Sequence, residues 1–371
     1  MSRPKVGHLT SVHPAYDARV LHKECKALAE AGYEVVLVVP HDRDEVADGV
    51  RIRAVPRPQG RLQRMTCTVW HVYRAALEEN AQMYHFHDPE LIPVGLLLRA
   101  RGKRVIYDVH EDYVSSIEQK RYLPHLFRTI LARFLGGAER LSTSPFEIII
   151  AEKYYARRFP NGIPVLNYPI RERIQIHSSD AAGEHNRPRL LYTGVVSEDR
   201  GALIHARIVN MMSDIELYVV GRCGKDLADR MRQVAGGERL HIEGEGFHVP
   251  YERIMNRYVE DDWIAGLAVF PPTPHYMEKE LTKLFEYMCA GIPIVCSDFP
   301  VWRSLIEETG AGLCVDPLEL ERVIDVIQYL IDHPDEVRDM GRNGRQAVAE
   351  RYNWNGEKEK LVEFYSRGGA R

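Results

Sequence analysis

Short runs of β-branched and aromatic residues alternate with helical patterns along the whole chain. This alternation is typical of parallel sheets built from βαβ units. In the first half it predicts strands at Lys5–Thr10, Glu34–Pro40, Val50–Val55, Gln82–His87, Arg104–His110, Arg140–Thr143 and Ile163–Leu166. In the second half it predicts strands at Arg189–Thr193, Glu216–Gly221, Arg239–Glu243, Gly266–Phe270, Pro293–Cys296 and Gly312–Val315, then helices near Glu319–Asp332 and Glu336–Arg351. The pattern therefore predicts two doubly wound α/β domains.

The length of 371 residues agrees with two domains, because one hydrophobic core rarely serves more than about 250–300 residues. The stretch between the two series of strands is rich in proline and charge and has no apolar period, which indicates a linker. We expect an N-terminal Rossmann-like domain at 1–168, the linker at 169–187 and a C-terminal Rossmann-like domain at 188–352. A final helix at 353–371 has an apolar side.

The composition is that of a globular protein, with 45% hydrophobic and 27% charged residues. No window approaches the ~20 apolar residues of a membrane helix, and the first residues lack the apolar core of a signal peptide. We therefore expect a soluble, cytoplasmic protein. The six cysteines form no Cys-x-x-Cys pair and no histidines cluster at metal-ligand spacing, so the sequence predicts no metal site.

Charge is distributed unevenly along the chain. The first 170 residues contain 24 Lys and Arg against 19 Asp and Glu, and the remainder contains 25 against 34. A basic first half and an acidic second half suggest different partners for the two domains, with random surface variation as the alternative. No basic run is interleaved with aromatic residues, so a nucleic-acid partner is not expected.

The most informative segment, Tyr276 to Pro293, reads as a loop that leads into a helix and then into a strand. Free amide groups at the start of such a helix, around Leu281 and Thr282, are suited to binding a diphosphate. Lys283 adds a full positive charge at the same place. Leu281, Thr282 and Lys283 are therefore candidates for binding the diphosphate of a donor substrate.

Two acidic residues flank this helix start. Glu278 precedes the helix and Glu286 lies eight residues later, so one carboxylate can face a sugar while the other reaches a ribose. The alternative is an amphipathic helix whose acidic residues are only solvated.

The spacing of Glu278, Glu286 and Ala290-Gly291-Ile292-Pro293 follows the pattern of one enzyme family, and Lys283–Met288 reproduces its Lys-Leu-Phe-Glu-Tyr-Met string. The chain resembles retaining glycosyltransferase family four, glycosyl transferases group 1, in its bacterial polysaccharide-type branch. The resemblance implies the α/β architecture called GT-B, with two doubly wound Rossmann-like domains facing a central cleft. It also implies that Glu286 holds the ribose hydroxyls and that Glu278 contacts the transferred sugar as a catalytic residue.

The first half contains matching motifs at His85–Glu90 and Val105–Glu111, each after a predicted strand. His110 matches the family histidine near the anomeric centre and is the second candidate catalytic residue. His87 is a candidate for the acceptor side, with a buried structural role as the alternative.

Where many members have Gly-Gly after the first strand, this chain has a polar loop that contains proline. Asp17 and Arg19 of this loop are candidate acceptor contacts, and Asp17 is alternatively the cap of the following helix. The resemblance also implies that the final helix crosses back to the first domain.

In the second domain the loop after the first strand resembles the family's phosphate-binding loop. The resemblance assigns donor binding to Gly194 and to Arg200, which stands at the family's lysine position. Val195 occupies the usual arginine position, which is a departure from the pattern. Arg222 is a candidate substitute for the missing cation, with a surface role as the alternative.

The resemblance implies a retaining, metal-independent glycosyltransferase of hexosyl or N-acetylhexosaminyl type. Its predicted donor is a nucleotide sugar, with UDP-sugar preferred and GDP-sugar as the alternative, and it requires no cofactor. The predicted acceptor is a saccharide or a lipid-linked saccharide in cell-surface polysaccharide or glycolipid synthesis. Alternative functions are a non-hydrolysing sugar-nucleotide epimerase and a non-catalytic GT-B subunit.

The segment from Tyr122 to Leu135 is apolar at helical spacing, with basic residues in between. It predicts peripheral contact with the inner face of the membrane through the basic N-terminal domain. A helix packed in the core with a basic solvated edge is the alternative.

Overall fold

The computed structural model of the chain describes residues 3–110, 125–174, 187–260 and 263–367, with backbone only at 125–128. The chain divides into two compact units. The first comprises Met1–Asn167 together with Trp354–Arg371, and the second comprises Tyr168–Asn353. Most of the predicted linker at 169–187 lies outside the described residues.

The first unit contains an eight-stranded sheet. Its strands are β1 Lys5–Leu9, β2 Glu34–Pro40, β3 Glu45–Ala47, β4 Val50–Val55, β5 Met83–Phe86, β6 Arg104–Val109, β7 Glu147–Ile150 and β8 Ile163–Pro164. They are ordered β3-β4-β2-β1-β5-β6-β7-β8, with β3 antiparallel to β4 and the other neighbours parallel. The connecting helices are a π-helical turn at Val20–Cys25, α1 Lys26–Glu30, α2 Arg61–Gln63, a second π-helical turn at Arg64–Thr68, α3 Val69–Glu79, α4 Ile92–Ala100 and α5 His125–Ser142.

The second unit contains a six-stranded parallel sheet. Its strands are β9 Arg189–Thr193, β10 Glu216–Cys223, β11 Leu240–Glu245, β12 Trp263–Ala268, β13 Ile294–Ser297 and β14 Gly312–Val315, in the order β11-β10-β9-β12-β13-β14. Its helices are α6 Ala202–Met211, α7 Lys225–Ala235, α8 Tyr251–Tyr258, α9 Pro274–Glu278, α10 Thr282–Ala290, α11 Pro300–Thr309, α12 Leu320–Asp332 and α13 Pro334–Glu350. Short 3₁₀ turns lie at Pro89–Leu91 and Lys153–Arg157 in the first unit and at Arg171–Arg173 and Glu198–Arg200 in the second.

The prediction of two doubly wound α/β domains is confirmed, and one predicted strand is wrong. Residues 140–142 of the strand predicted at Arg140–Thr143 form the end of α5, because the apolar helical period of α5 continues into them. The strand lies a few residues later, in the β-branched run Glu147–Ile150. Within the described ranges, none of the helices combines the length and apolar character that crossing a bilayer requires.

Strand alternation divides the first sheet into two different faces. Tyr84, Phe86 and Tyr107 belong to the main apolar core. Because successive side chains of a strand point to opposite faces, His85 and Asp108 lie on the other face. His8 is paired with His85 in the β1–β5 register and shares that face. One face of the sheet is therefore apolar, and the other contains buried polar groups.

Each sheet reverses its winding at its first strand. The strand β1 lies between β2 and β5, and β9 lies between β10 and β12. Helical connections leave in opposite directions from such a strand, so the edge at its carboxyl end stays uncovered and binds ligands in open α/β sheets. Candidate residues after β1, β5 and β9 are therefore at the expected binding edge of each unit.

The last helix, α14 Trp354–Arg367, belongs to the first unit. The Tyr365 hydroxyl lies 2.8 Å from His85 Nδ1, and Glu357 Oε2 accepts the Leu166 amide at 2.8 Å. Arg104 donates to the Tyr365 carbonyl at 2.8 Å. These contacts attach the end of the chain to the polar face and to β6.

In the second unit, α13 packs closely on the end of α10, the helix that contains Lys283 and Glu286. A Cβ atom placed on Gly341 would lie 2.3 Å from the Gly291 carbonyl oxygen, and one on Gly344 would lie 3.1 Å from Met288 Cα. Backbone atoms cannot yield as a flexible side chain can, so this contact requires glycine.

We predict that Gly341→Ala lowers the free energy of unfolding by about 1–3 kcal/mol, because the two helices must separate. Gly356→Ala is the matched control, since its Cβ would meet nothing within 4 Å in α14. The control should be neutral or stabilising by up to about 1 kcal/mol. Denaturant unfolding of both variants measures this, and equal effects would contradict the packing argument.

Candidate functional site

A polar network lies at the carboxyl ends of β1, β5 and β6 in the first unit. Asp88 follows β5 and accepts hydrogen bonds from the Thr10 hydroxyl at 2.8 Å and from the Ser11 amide at 2.6 Å. Asp88 is 1% exposed, so both donors are held inside the unit. The loop after β1 is therefore fixed against β5.

Arg19 and Asp108 form a buried ion pair beneath this loop. Arg19 Nε donates to Asp108 Oδ2 at 3.0 Å and Arg19 Nη2 donates to Oδ1 at 2.9 Å, while Nη1 donates to the Val165 carbonyl at 3.0 Å. Burial opposes ionisation of Asp108, but the Arg19 charge outweighs it and holds the pKa of Asp108 well below its ordinary value. The pair remains charged in the interior and fixes the end of β6.

Two histidines meet above this ion pair. His110 Nε2 lies 2.7 Å from His13 Nε2, while His110 Nδ1 lies 3.1 Å from Asp108 Oδ2 and His13 Nδ1 lies 3.2 Å from Asp17 Oδ2. Each Nδ1 faces a carboxylate and can donate its ring hydrogen to it, while His13 Nε2 also lies 3.5 Å from Asp88 Oδ1. The two rings are therefore held in place by three carboxylates, with their Nε2 atoms in contact.

Asp17 also holds the start of the helical turn that follows. Its Oδ1 accepts the amides of Arg19 at 2.8 Å and Val20 at 2.9 Å, which is the capping role given above as the alternative. Burial opposes ionisation here too, but hydrogen bonds from His13 and Val20 lower the pKa of Asp17.

The structure brings the predicted residues of the first unit together at one edge, in different environments. Arg19 and His87 are 5% and 2% exposed and contact Asp108, so both act inside the unit. His110 and Asp17 retain some exposure. Sequence reasoning did not select His13 or Asp88 as site residues. The spacing of His13 and Asp17, four residues apart in a loop after a strand, was the available signal.

In the second unit, glycines bring the backbones of neighbouring strand ends close together. Gly194 after β9 has a φ of 92° and Gly221 in β10 has a φ of 157°. A Cβ on Gly221 would lie 1.9 Å from the Gly194 carbonyl oxygen. On this edge Val195 is 49% exposed, and Arg222 is exposed on β10, where its carbonyl accepts the Val196 amide at 3.0 Å.

Lys283 is a buried amine at this edge. Its side chain is 8% exposed, and its Nζ has no hydrogen-bond partner among the described residues. The Nζ lies 3.6 Å from the centre of the Tyr192 ring, and a Cβ on Gly194 would lie 4.0 Å from it. Burial and the nearby Arg200 charge lower the pKa of Lys283 well below its ordinary value. The site therefore has an unsatisfied donor that an anion would complete.

The other candidates of this unit surround the start and the middle of α10. Arg200 Nε donates to the Tyr276 hydroxyl at 2.9 Å. Glu286 Oε2 accepts the Tyr258 hydroxyl at 2.8 Å, and Glu286 is half-buried. Glu278 is also half-buried, at the end of α9. Leu281 is buried immediately before α10, and Thr282 begins that helix.

Two family models match the chain. The glycosyl transferase 4-like domain matches residues 18–146, and the glycosyl transferase-like model matches residues 211–363. D-rhamnosyltransferase WbpZ of Pseudomonas aeruginosa is 24% identical over 282 residues, which is 72% of this chain and 68% of that protein.

Solved structures give the same fold. Sucrose-phosphate synthase from Thermosynechococcus elongatus superposes with a TM-score of 0.79 at 18% identity, covering 99% of this chain and 100% of its own. HepE of Anabaena, in complex with UDP-glucose, superposes with a TM-score of 0.72 at 13% identity, covering 98% of this chain and 99% of its own. At such identities the likeness concerns the fold.

We predict that Lys283→Met raises the free energy of unfolding of the ligand-free protein by about 1–3 kcal/mol, because a buried polar group without a partner is removed. Lys225→Met is the control, since Lys225 is exposed in α7 and its replacement should change stability by less than about 0.5 kcal/mol. Chemical denaturation without ligand measures both. A destabilised Lys283→Met would contradict the unsatisfied amine.

Proposed function

This chain belongs to the group 1 glycosyltransferases of the GT-B fold, and we propose that it transfers a sugar from a nucleotide-diphosphate donor with retention of configuration and without a divalent ion. The observation that carries this proposal is the buried, unpartnered Lys283 amine beside Gly194 at the carboxyl edge of β9. A diphosphate oxygen would satisfy that amine. The start of α10 supplies amide groups and the positive end of its dipole at the same edge.

Charge development in the reaction explains the use of these cations. Cleavage of a glycosyl phosphate bond leaves negative charge on the departing diphosphate, so fixed positive groups around it lower the barrier. Lys283 and Arg200 supply them in our proposal, and Arg222 replaces the cation that Val195 lacks. Protein cations then do the work that a metal ion does in other transferases.

Retention requires two displacements or an attack from the same face as the leaving group. We propose same-face attack assisted by the leaving phosphate, which is what the family resemblance implies. Glu278 contacts the transferred sugar, Glu286 holds the ribose hydroxyls and His110 positions the anomeric centre. The contacts of His110 with His13 and Asp108 support this role, because they fix the orientation of the ring.

For the donor we propose a UDP-sugar first and a GDP-sugar second, with a hexosyl or N-acetylhexosaminyl group transferred. The known complex of HepE with UDP-glucose supports a nucleotide sugar of this kind in the same fold. For the acceptor we propose a saccharide or a lipid-linked saccharide, in cell-surface polysaccharide or glycolipid synthesis.

A helix surface in the first unit supports membrane contact. On α5, Ile130, Phe134 and Leu141 are 58%, 69% and 76% exposed, next to the exposed Arg133 and Arg140. The predicted segment begins at Tyr122, and its first three residues lie outside the described part of the chain. Apolar side chains beside cations fit an anionic lipid surface. We propose that α5 rests on the inner face of the membrane.

The nucleotide site is tested by calorimetric titration in EDTA with UDP, GDP, dTDP and ADP, followed by their sugars. We predict that one nucleotide family binds without metal and that Glu286→Ala weakens it about tenfold or more, because hydrogen bonds to a charged group are lost. Glu307→Ala is the control, an exposed glutamate of α11 in the same unit. No binding by the wild type, or equal binding by Glu286→Ala, would contradict the assignment.

His110→Ala should separate binding from turnover. We predict a fall in kcat of about 10²-fold or more with donor Kd nearly unchanged, because this side chain acts at the reacting centre. The measurement is donor hydrolysis or transfer beside the same titration. Unchanged turnover would contradict the role of His110, and product of inverted configuration would contradict retention.

We predict that the wild type floats with vesicles containing phosphatidylglycerol and not with neutral vesicles. The double variant Ile130→Ser and Phe134→Ser should lose most of this binding, because it removes the inserted apolar area. Leu318→Ser is the control, since Leu318 is 72% exposed in the second unit. Equal flotation of all three proteins, or none, would contradict the membrane surface.

A further inference from the structure

The polar face of the first sheet carries three histidines at one place. His8 in β1 lies in register with His85 in β5, and His87 lies two residues further along the chain, on the same side as His85. Ring centroids are 4.6 Å apart for His8 and His85 and 4.7 Å apart for His85 and His87. Glu24, from the π-helical turn Val20–Cys25, faces them. Four residues that can bind a metal ion, three histidines and one glutamate, therefore meet between two strands and a helical turn.

These groups are buried and incompletely satisfied. His8, His85 and Glu24 are 0% exposed and His87 is 2% exposed. Within the described residues, His8 Nε2, His85 Nε2 and both Glu24 oxygens have no hydrogen-bond partner. Arg19 Nη2 is 2.9 Å from Glu24 Oε1 as an ion pair, whereas Oε2 lies 3.9 Å from His85 Nε2 and 4.0 Å from His87 Nδ1. Unpaired buried polar atoms are costly, and the proximity of His85 Nε2 and Glu24 Oε2 indicates a ligand site between them.

We propose that His8, Glu24, His85 and His87 bind a structural zinc ion. One nitrogen from each ring and one carboxylate oxygen all lie within 4.8 Å of one another. Zinc takes four such ligands in a tetrahedron at about 2.0–2.2 Å, which requires ligand atoms roughly 3.4 Å apart. A small contraction of the cluster reaches this geometry. Since all four ligands come from the protein, the site is closed and has no catalytic position.

Neighbouring groups support the ligand roles. His85 Nδ1 lies 2.8 Å from the Tyr365 hydroxyl, and His87 Nδ1 lies 3.2 Å from Asp108 Oδ2. Metal-binding imidazoles usually donate their second nitrogen in this way, which leaves Nε2 for the ion. The 3.0 Å contact between His8 Nδ1 and His87 Nε2 is the one that the ion would replace.

The local charge also favours a cation. Arg19 contacts both Glu24 and Asp108, so two buried carboxylates share one guanidinium in this cluster. A divalent ion bound to Glu24 would add positive charge beside these two carboxylates. His87, Asp108 and His110 form a second group of possible ligands, but Asp108 is committed to Arg19 and His110 to the proposed active site.

The metal content of protein purified without a histidine tag tests the proposal. Elemental analysis after dialysis against a chelating resin should find one zinc per chain, and unfolding in the presence of a zinc-sensitive dye should release it. His85→Gln and Glu24→Gln should lose the zinc and melt several degrees lower. His205→Gln is the control, a buried histidine of the second unit that should cost stability without changing zinc content.

Refolding of the metal-stripped wild type supplies a test that needs no variant. Zinc should restore the melting temperature, and cobalt in its place should give the visible absorption of a tetrahedral site, lost in Glu24→Gln. Wild type that is isolated without zinc, takes up none on refolding and melts at the same temperature either way would overturn the proposal. Zinc retained in both variants would overturn it equally.

Discussion

The buried ion pair between Arg19 and Asp108 is the interaction on which the first unit's functional edge depends. One guanidinium links the helical turn after β1, the end of β6 and the Val165 carbonyl beyond β8. Asp108 Oδ2 is also within hydrogen-bond distance of His87 Nδ1 and His110 Nδ1. Removing either partner would leave an uncompensated charge in the interior, which typically costs several kcal/mol. The positions of His87 and His110 therefore depend on a buried ion pair.

The second unit contains a buried basic side chain, Lys283, that differs from Arg19 in its hydrogen bonding. Lys283 stands in an apolar environment against Tyr192, and the described residues give its amine no hydrogen bond. A protein that only needed stability would do better with an apolar side chain there. The contrast with Arg19 separates two uses of a buried cation. Arg19 is satisfied within the fold and organises it, whereas Lys283 Nζ has no hydrogen-bond partner among the described residues, as expected of the anion-binding group that we propose.

The sequence predicted the strands and helices that have a clear apolar period. It failed where the apolar pattern fits both a helix and a strand. All but one of the predicted strands correspond to observed strands, with shifts of a few residues at their ends. Residues 140–143, predicted as a strand, contain one apolar residue, Leu141, and one β-branched residue, Thr143. An apolar helical stripe and the start of a strand look alike over four residues, and only the packing of α5 decides between them.

The sequence could predict which residues lie close together when they belong to one continuous motif. It could not predict this for residues on different strands of the sheet. Glu278, Lys283 and Glu286 lie on one helix and its approach, so spacing alone brings them together. The cluster of His8, Glu24 and His85 joins residues up to 77 positions apart, and only the parallel register of β1 and β5 makes them neighbours. The spacing of His85 and His87 shows that they share a face, but it does not identify the strand beside them.

Val195, at the family's usual arginine position, changes the charge at the carboxyl edge of β9. The family's arginine would bring a permanent charge to this loop, whereas the pKa of Lys283 is well below its ordinary value. Burial is the first cause of that shift, and an anion bound to the amine would oppose it and restore the charge. Arg222, exposed on the adjacent strand, needs no such compensation. A bound anion would thus add the charge of Lys283 to those that Arg200 and Arg222 already carry at this edge.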